Sequence, residues 1–257
     1  MDLTKATDFI QNKLSNPPEM GIVLGSGLGE FINIIKNKIE IKFNDIPGFV
    51  LPSVFGHDGK LILGEMNGKS IICTQGRVHF YEGISLDEVT FQIQLFNKIK
   101  CKKVIITNSS GCLQKEWNIG GFMNISSLLD FTFRKSDKPI ISSLKQVYDF
   151  ETVKEIAHNN GFDFYNGTYT WTLGPSYETP SEIDEINNLD GRVVGMSTYP
   201  EMTKAVELGL DVIGISCLTN YAAGISENPL THEEVLHAAK MANKNFNKLI
   251  EVIIENI

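Results

Sequence analysis

The sequence has few cysteines, and their spacing argues against two kinds of site. Cysteine occurs four times in 257 residues, at Cys73, Cys101, Cys112 and Cys217. No two of them form a Cys-x-x-Cys motif and no histidine stands at ligand spacing from them, so the pattern predicts no metal site. Scattered single cysteines are typical of buried, reduced thiols, which favours a cytoplasmic protein without disulfides.

Long apolar runs and an excess of positive charge are also missing. No run approaches the ~18–20 apolar residues that span a bilayer, and the first segment, MDLTKATDFIQNKL, has the pattern of an amphipathic helix rather than of a signal peptide. The net charge is 23 − 31 = −8, which opposes binding to nucleic acid or to an anionic membrane. The composition therefore predicts a soluble protein with no nucleic-acid or membrane partner.

Short β-branched runs alternate with helical patterns along the chain. Helix starts are marked by capping boxes at Ser85 with Glu88, at Thr198 with Glu201, and at Thr231 with Glu234. This alternation predicts an α/β sheet with helices on both faces, in a single domain over residues 1–257. The runs that read as strands are MGIVLG, KLILGEM, KSIICTQ, KVIITNSSG, YTWTLG, RVVGM and DVIGISC.

A glycine-rich turn follows the first of these runs, in the stretch IVLGSGLGEF. Its glycines do not fit the dinucleotide fingerprint, because Glu30 occupies the last glycine position, and no Gly-Lys-Ser/Thr follows as in a P-loop. Two interpretations remain open for the turn by itself. It is either an anion site, formed by the Ser26 hydroxyl and backbone amides at a helix start, or a plain strand-to-helix turn.

Arg77, His79 and Tyr81 alternate in GRVHFYEG. In extended chain their side chains share one face, where a guanidinium, an imidazole and a phenol suit an oxyanion and a hydroxyl-bearing ligand. The alternative is an exposed strand face.

Two more loops carry groups suited to a flat heterocycle. In GPSYETP, Tyr177 can stack on a ring and Glu178 can accept hydrogen bonds from ring N–H or amino groups. In SCLTNYAAG, the amide of Asn220 can both donate and accept. Taken singly, these residues are equally compatible with solvated loop positions and a strand-ending turn.

Three further residues have an ordinary structural alternative when taken singly. Ser197 precedes a helix N-cap and can donate to an anion, His232 stands near a helix N-terminus that suits a neutral imidazole, and His57 lies in a turn-like stretch. Together with the preceding groups they describe a pocket with an anion cradle, a hydroxyl-rich subsite and a heterocycle subsite.

The ordered set of these stretches resembles the trimeric purine nucleoside phosphorylases, the 6-oxopurine-specific branch of the purine nucleoside and methylthioadenosine phosphorylase family. The resemblance runs from about Gly21 to Leu236. It implies a single domain with a central mixed β-sheet flanked by helices, assembled as a homotrimer. The matching stretches are GSGLG, GHDGKL, GRVHFYEG, TNSSG, GPSYETP, GMSTYPE, SCLTNYAAG and HEEVL.

The resemblance also implies a reaction: inorganic phosphate cleaves inosine, guanosine or their 2′-deoxy forms to the free purine and (deoxy)ribose 1-phosphate. Phosphate is then a co-substrate, and no metal or organic cofactor is implied. Asn220, Glu178 and His79 are the implied catalytic residues. The implied contacts are Ser26, His57, Arg77, His79, Ser109 and Ser197 for phosphate; Tyr81, Met196 and His232 for ribose; and Tyr177, Glu178 and Asn220 for the base.

The sequence departs from the family pattern over residues 131–165, where it is shorter. The family carries there a phenylalanine that reaches into the neighbouring subunit's site. Four aromatic residues are candidates for that position, namely Phe131, Phe133, Tyr148 and Phe150.

Two other functions are compatible with the same stretches. One is a phosphorylase for a modified nucleoside such as methylthioinosine, against which His232 argues, because a bulky apolar 5′-group would leave a buried imidazole without a partner. The related methylthioadenosine phosphorylases carry Asp at the Asn220 position and lack this histidine. The other is a non-catalytic purine-binding protein, which has no use for a complete phosphate set.

Overall fold

The computed structural model describes residues 2–51, 59–226 and 232–257, and only the backbone of residues 232–234. Short 3-10 helices lie at Gly29–Ile34, Phe43–Asp45 and Phe80–Glu82. The α-helices are α1 Leu3–Gln11, α2 Leu86–Val89, α3 Phe91–Lys98, α4 Phe150–Asn159, α5 Pro180–Asn188, α6 Tyr199–Glu207 and α7 His232–Glu255. The strands are β1 Met20–Leu24, β2 Lys36–Lys42, β3 Lys60–Met66, β4 Lys69–Gln75, β5 Lys103–Cys112, β6 Phe122–Asp130, β7 Ile140–Ser143, β8 Phe164–Trp171, β9 Gly191–Gly195 and β10 Asp211–Tyr221.

The described strands form one mixed ten-stranded sheet in which β5 is the central element. Its first half lies between β1 and β10, both parallel to it, and its last residues pair with β9 in the antiparallel direction. Strand β10 also pairs with β6, which continues through β8 to β9. Strands β5, β10, β6, β8 and β9 therefore close a ring, and β1, β4, β3 and β2 extend the sheet to one side.

Helices cover both faces of this sheet. Because neighbouring residues of a strand point to opposite faces, Val104 and Ile106 of β5 join one apolar cluster and Ile105 joins the other. The first cluster includes residues of α1, α3 and α6, and the second includes residues of α4 and α7. Within the second, Phe246 of α7 is fully buried and packs edge-on against Phe31 at 5.8 Å between ring centroids.

Most of the predicted elements are confirmed. Each of the apolar runs is a strand, the helical pattern at the N-terminus is α1, and the capping box of Ser85 with Glu88 starts α2. Thr231, the predicted cap of α7, lies outside the described residues. The four cysteines are free and buried, as predicted. No helix of the described residues is long and apolar enough to cross a membrane.

Three strands and one turn differ from the sequence-based expectation. Strand β2 is almost wholly exposed and β7 has only four residues, so neither carries an apolar run. Strand β6 is interrupted by polar residues, and its pairing with β8 shifts register between Ile125 and Ser127. The helix expected directly after the glycine-rich turn is a six-residue 3-10 helix.

The turn between β1 and this 3-10 helix packs against α7. Gly27 has a φ of +75°, and a β-carbon added to it would lie 2.5 Å from the β-carbon of Ala239 in α7. Gly68 has nearly the same φ, +76°, but nothing within 4 Å of such a carbon. Alanine substitutions at Gly27 and Gly68 therefore separate the cost of a left-handed backbone conformation from the cost of a steric contact with α7.

We expect Gly27→Ala to destabilise the protein more than Gly68→Ala does. Both substitutions carry the left-handed penalty of about 1–2 kcal/mol, and overpacking against α7 adds about 1–3 kcal/mol at Gly27 alone. Urea unfolding of both variants measures the difference, and Ala239→Gly combined with Gly27→Ala should recover part of it. Equal losses at the two positions would contradict a close contact between the turn and α7.

Candidate active site

The candidate site lies where β5 exchanges one neighbouring strand for another. The hydroxyl of Thr107 donates to the carbonyl of Val23 at 2.9 Å and accepts from the backbone N–H of Gly25 at 3.0 Å, so it holds the end of β1. A β-carbon on Gly25 would lie 2.6 Å from the α-carbon of Asn108, which explains the need for glycine at this close approach. Beyond this point β1 leaves β5, and a cleft opens before β9 joins it.

The cleft encloses about 750 Å³, including the space at its open mouth. It is lined by every predicted site residue whose side chain the structure describes. His57 and the side chain of His232 lie outside the described part of the chain. The predicted residues in the lining are Ser26, Arg77, His79, Tyr81, Ser109, Tyr177, Glu178, Met196, Ser197 and Asn220. Their contacts with substrate stay predictions.

Side chains of β4, β5 and α7 donate hydrogen bonds to the backbone of the glycine-rich turn. The hydroxyl of Ser109 on β5 donates to the carbonyl of Ser26 at 2.7 Å. The amides of Gln75, at the end of β4, and Asn243, on α7, each donate at 3.2 Å to a glycine carbonyl of the turn. Ser26 is therefore positioned by β4, β5 and α7 together.

Arg77 forms a buried ion pair at the floor of the cleft. Its Nη1 lies 2.8 Å from Oε2 of Glu201, and the two side chains are 1% and 0% exposed. The same nitrogen donates to the hydroxyls of Ser197 at 3.2 Å and Thr198 at 3.1 Å, and Nη2 donates to the carbonyl of Thr107. The Nε atom is buried and has no hydrogen-bond partner among the described residues.

Glu201 is a site residue that the sequence analysis identified only as a helix cap. Its Oε1 accepts from the Gln92 amide of α3 at 2.6 Å, and its Oε2 accepts from the backbone N–H of Thr198 at 3.1 Å as well as from Arg77. The carboxylate of Glu201 thereby compensates the positive charge of the Arg77 guanidinium inside the protein. Anion binding here would therefore rest on convergent N–H and O–H donors more than on net positive charge.

His79 and Tyr81 both line the cleft, but their rings are brought together by a 3-10 helix and not by an extended segment. Nδ1 of His79 lies 3.2 Å from Oε1 of Glu82, which orients the ring, and the backbone N–H of His79 donates to the same oxygen at 2.6 Å. The chain then turns into a 3-10 helix, so the expectation of an extended segment through Tyr81 was wrong. The Tyr81 ring instead stacks on the imidazole at 4.9 Å. Burial, with the nearby Glu82 and Tyr177, raises the pKa of Tyr81 to about 12, so it remains a neutral phenol.

Glu178 is a half-buried carboxyl on the loop after β8. The hydroxyl of Thr172 donates to its Oε1 at 2.6 Å. Burial raises the pKa of Glu178, and the Thr172 hydrogen bond opposes that shift. Tyr177 is 41% exposed, so its ring stands at the mouth of the cleft.

Asn220 presents an amide whose orientation is set by its neighbours. Its Oδ1 accepts from the Thr219 hydroxyl at 2.9 Å, and Nδ2 donates to the carbonyl of Tyr221 at 3.0 Å. Because an amide nitrogen carries two hydrogens, the second N–H is available to a ligand in the cleft.

The structure separates the four aromatic candidates of the shortened segment. Tyr148 is buried and donates to Oδ1 of Asn124 at 2.8 Å, and Phe150 packs in the core, 5.2 Å from the ring of Phe164. Phe133, by contrast, is 51% exposed and stands 5.1 Å from Phe131 in an edge-on pair. Tyr148 and Phe150 therefore serve the core of this chain.

The described residues contain no group of three or more His, Cys, Asp or Glu side chains that could hold a metal ion.

Comparison with known proteins agrees with this geometry. The family model of the Phosphorylase superfamily matches residues 19–255. The purine nucleoside phosphorylase 1 of Bacillus subtilis (strain 168) is 36% identical over 266 residues, covering 98% of this chain and 97% of that protein. The structure of Schistosoma purine nucleoside phosphorylase with hypoxanthine superposes with a TM-score of 0.85 at 30% identity, covering 99% and 96% of the two chains. The Schistosoma mansoni enzyme with inosine gives 0.85 at 29% identity, covering 100% and 96%.

We expect Glu201→Gln to destabilise the protein by about 3–5 kcal/mol, because it removes the charge that compensates a buried guanidinium. Glu207→Gln is the matched control on the same helix. Glu207 pairs with Lys204 at 2.7 Å, but its side chain is 59% exposed, so the loss should stay below about 1 kcal/mol. Urea unfolding of both variants gives the two values. A Glu201 variant as stable as the Glu207 variant would show that the ion pair does not stabilise the site.

Proposed function

The chain belongs to the Phosphorylase superfamily, and on that basis we propose that it catalyses the phosphorolysis of purine nucleosides. The substrates are inosine, guanosine and their 2′-deoxy forms, and the products are the free purine and (deoxy)ribose 1-phosphate. The observation that carries the proposal is a single cleft in which Arg77 with its hydroxyl partners and the polar pair Glu178 and Asn220 line the same space.

Phosphate would bind where the donors of Ser26, Arg77, His79 and Ser197 converge. The guanidinium of Arg77, which lines the cleft, would supply a charge-assisted hydrogen bond, and the serine hydroxyls and the backbone N–H of Ser109 would supply neutral ones. We assign His57 to the same subsite from the family resemblance.

The reaction at the sugar needs no enzyme carboxylate beside it. Glycosidases use a carboxylate as nucleophile or base at the anomeric carbon, whereas here phosphate is itself the anionic nucleophile. It attacks the anomeric carbon, the bond from that carbon to the purine breaks, and the bonding electrons leave with the base. The protein holds phosphate and nucleoside at near-attack distance, with Tyr81, Met196 and His232 placing the ribose.

The leaving purine accumulates negative charge, and two residues would stabilise it. The second N–H of Asn220 donates to N7 of the base, and Glu178 accepts from N1–H. A donor aimed at charge that develops in the transition state is among the largest contributions to catalysis. Tyr177 packs on the base at the mouth of the cleft.

The family resemblance extends the proposal to the assembly, and the scattered cysteines extend it to the cellular compartment. We place the protein in the cytoplasm as a homotrimer that needs inorganic phosphate and no metal or organic cofactor. Of the aromatic candidates that the family pattern would direct toward a neighbouring subunit, Phe133 has the exposed ring that this role requires.

We expect the protein to release hypoxanthine from inosine only when inorganic phosphate is added. The assay compares inosine, guanosine, adenosine and methylthioadenosine, each with and without phosphate. Methylthioinosine cleaved as fast as inosine would favour a phosphorylase for modified nucleosides. Bound purine without turnover would favour a non-catalytic binding protein.

Asn220→Ala should lower kcat for inosine by about 10²-fold or more, the usual scale for losing one transition-state donor. Asn187→Ala, at a side chain bonded to Gln114 on the surface, is the control for replacing an asparagine and should turn over normally. Steady-state kinetics on both variants give the comparison. Near-normal turnover by the Asn220 variant would exclude the proposed role.

Arg77→Ala should raise the KM for phosphate more than the KM for inosine, because the guanidinium faces the anion and not the base. Arg77→Lys keeps the buried charge but loses the planar fork, and should show the same selective effect in a better-folded protein. Arg192→Lys, whose guanidinium pairs with Asp190 away from the cleft, is the matched control. An unchanged phosphate KM in both Arg77 variants would count against the phosphate site.

A further inference from the structure

Thr172 is a buried residue that does not line the cleft but contacts a group that does. It directly follows β8, and its backbone N–H donates to the carbonyl of Gly195 at 3.0 Å, which fixes the position of the residue. Its side chain donates to Oε1 of Glu178 at 2.6 Å. One carboxylate oxygen of Glu178 is therefore hydrogen-bonded to a side chain outside the cleft.

Two features around Glu178 work against its negative charge, and its own backbone N–H, like the Thr172 hydroxyl, favours that charge. Burial raises its pKa, and the carboxylate of Glu182 on α5 raises it further. Glu182 itself is held ionised, because the backbone N–H and the hydroxyl of Thr179 bond to its Oε2 at 2.7 and 2.8 Å and lower its pKa. The neighbouring phenol of Tyr177 is neutral, since its own pKa is raised by burial. The hydroxyl of Thr172 is the side-chain group that favours the ionised form of Glu178.

The charge state of Glu178 decides which purine it accepts. The ring nitrogen N1 of a 6-oxopurine carries a hydrogen and donates to a carboxylate, whereas N1 of a 6-aminopurine is an acceptor and meets a carboxylate with its lone pair. A protonated carboxyl reverses this preference, because its O–H donates to an acceptor nitrogen. Discrimination of this kind depends on a buried polar group that the wrong ligand leaves unpaired.

We propose that Thr172 is a positioning residue that determines base specificity: its hydroxyl donates to Oε1 of Glu178 at 2.6 Å, a hydrogen bond that a carboxylate accepts, and so favours 6-oxopurines over 6-aminopurines. The inference rests on the proposed function, in which Glu178 contacts the base. It adds to that function a residue outside the cleft that acts only through Glu178.

Strand β8, which ends just before Thr172, provides a matched control. Thr170 stands two residues before Thr172 and is also buried, but its hydroxyl has no hydrogen-bond partner among the described residues. Thr170→Val and Thr172→Val therefore make the same chemical change, and only the second removes a hydrogen bond. Thr172→Ser keeps the hydroxyl and should behave as the wild type does.

The test measures dissociation constants of hypoxanthine and adenine by calorimetry across a pH series. Hypoxanthine binding should weaken as the pH falls through the pKa of Glu178. The acid limb is the pH range over which hypoxanthine binding weakens. Since the hydroxyl of Thr172 lowers the pKa of Glu178, Thr172→Val should move the acid limb to higher pH by about one unit. Within the acid limb, Thr172→Val should bind hypoxanthine about tenfold more weakly than the wild type does at the same pH. Its preference for hypoxanthine over adenine should also be smaller. Thr172→Ser and Thr170→Val should both keep the wild-type limb and preference.

Two outcomes would overturn the inference. In the first, the acid limb of Thr172→Val lies at the wild-type pH and the preference for hypoxanthine over adenine is unchanged. In the second, Thr170→Val shifts the acid limb by the same amount, which would attribute the effect to a general loosening of this segment. Urea unfolding of each variant confirms that folded proteins are compared. Because base binding needs no turnover, this titration is independent of the inosine assay. Absence of phosphate-dependent hypoxanthine release would overturn the proposed reaction while the titration still decides the role of Thr172.

Discussion

The buried ion pair between Arg77 and Glu201 is the interaction on which the cleft depends. It joins the loop after β4 to the first turn of α6, and it is extended by the Gln92 amide from α3 and the Thr107 carbonyl on β5. Two charges removed from water are costly unless each is paired and fully hydrogen-bonded. The elements that carry these groups must therefore come together for the chain to fold, and the same requirement brings Arg77 to Ser197 and Thr198.

The sheet supplies the space that the ion pair lines. Strand β5 is bordered by β1 at its start and by β9 at its end, and the interval between these two neighbours is the cleft. The hydroxyl of Thr107 fixes the departure of β1, which positions the glycine-rich turn, and Met196 and Ser197 follow directly from β9. A change of strand partners along one central strand thus gathers residues from distant parts of the chain at one place.

The protein has a net charge of −8, and the ionisable groups of the cleft are ion-paired, hydrogen-bonded or neutral. Arg77 is paired with Glu201, Tyr81 remains a neutral phenol because burial raises its pKa, and burial raises the pKa of Glu178 while a neighbouring hydroxyl opposes that shift. Selectivity for an anion and for one class of base then depends on the direction of individual donors and acceptors. Thr172, which does not line the cleft, acts in the proposed scheme only through its hydrogen bond to Glu178.

The sequence by itself determined the class of fold, most of the strands and ten of the residues that line the cleft, but not others such as Asn108, Ser110 and Thr219. Apolar runs and capping boxes are local signals, and short motifs in family order identified Ser26, Arg77 and Glu178 among the lining residues. Only the tertiary structure decided what supports them. Glu201 reads as an ordinary helix cap, and Thr170 and Thr172 are indistinguishable in YTWTLG. Their roles depend on partners brought close by the fold, 124 residues apart for Arg77 and Glu201, and no local pattern encodes such a pairing.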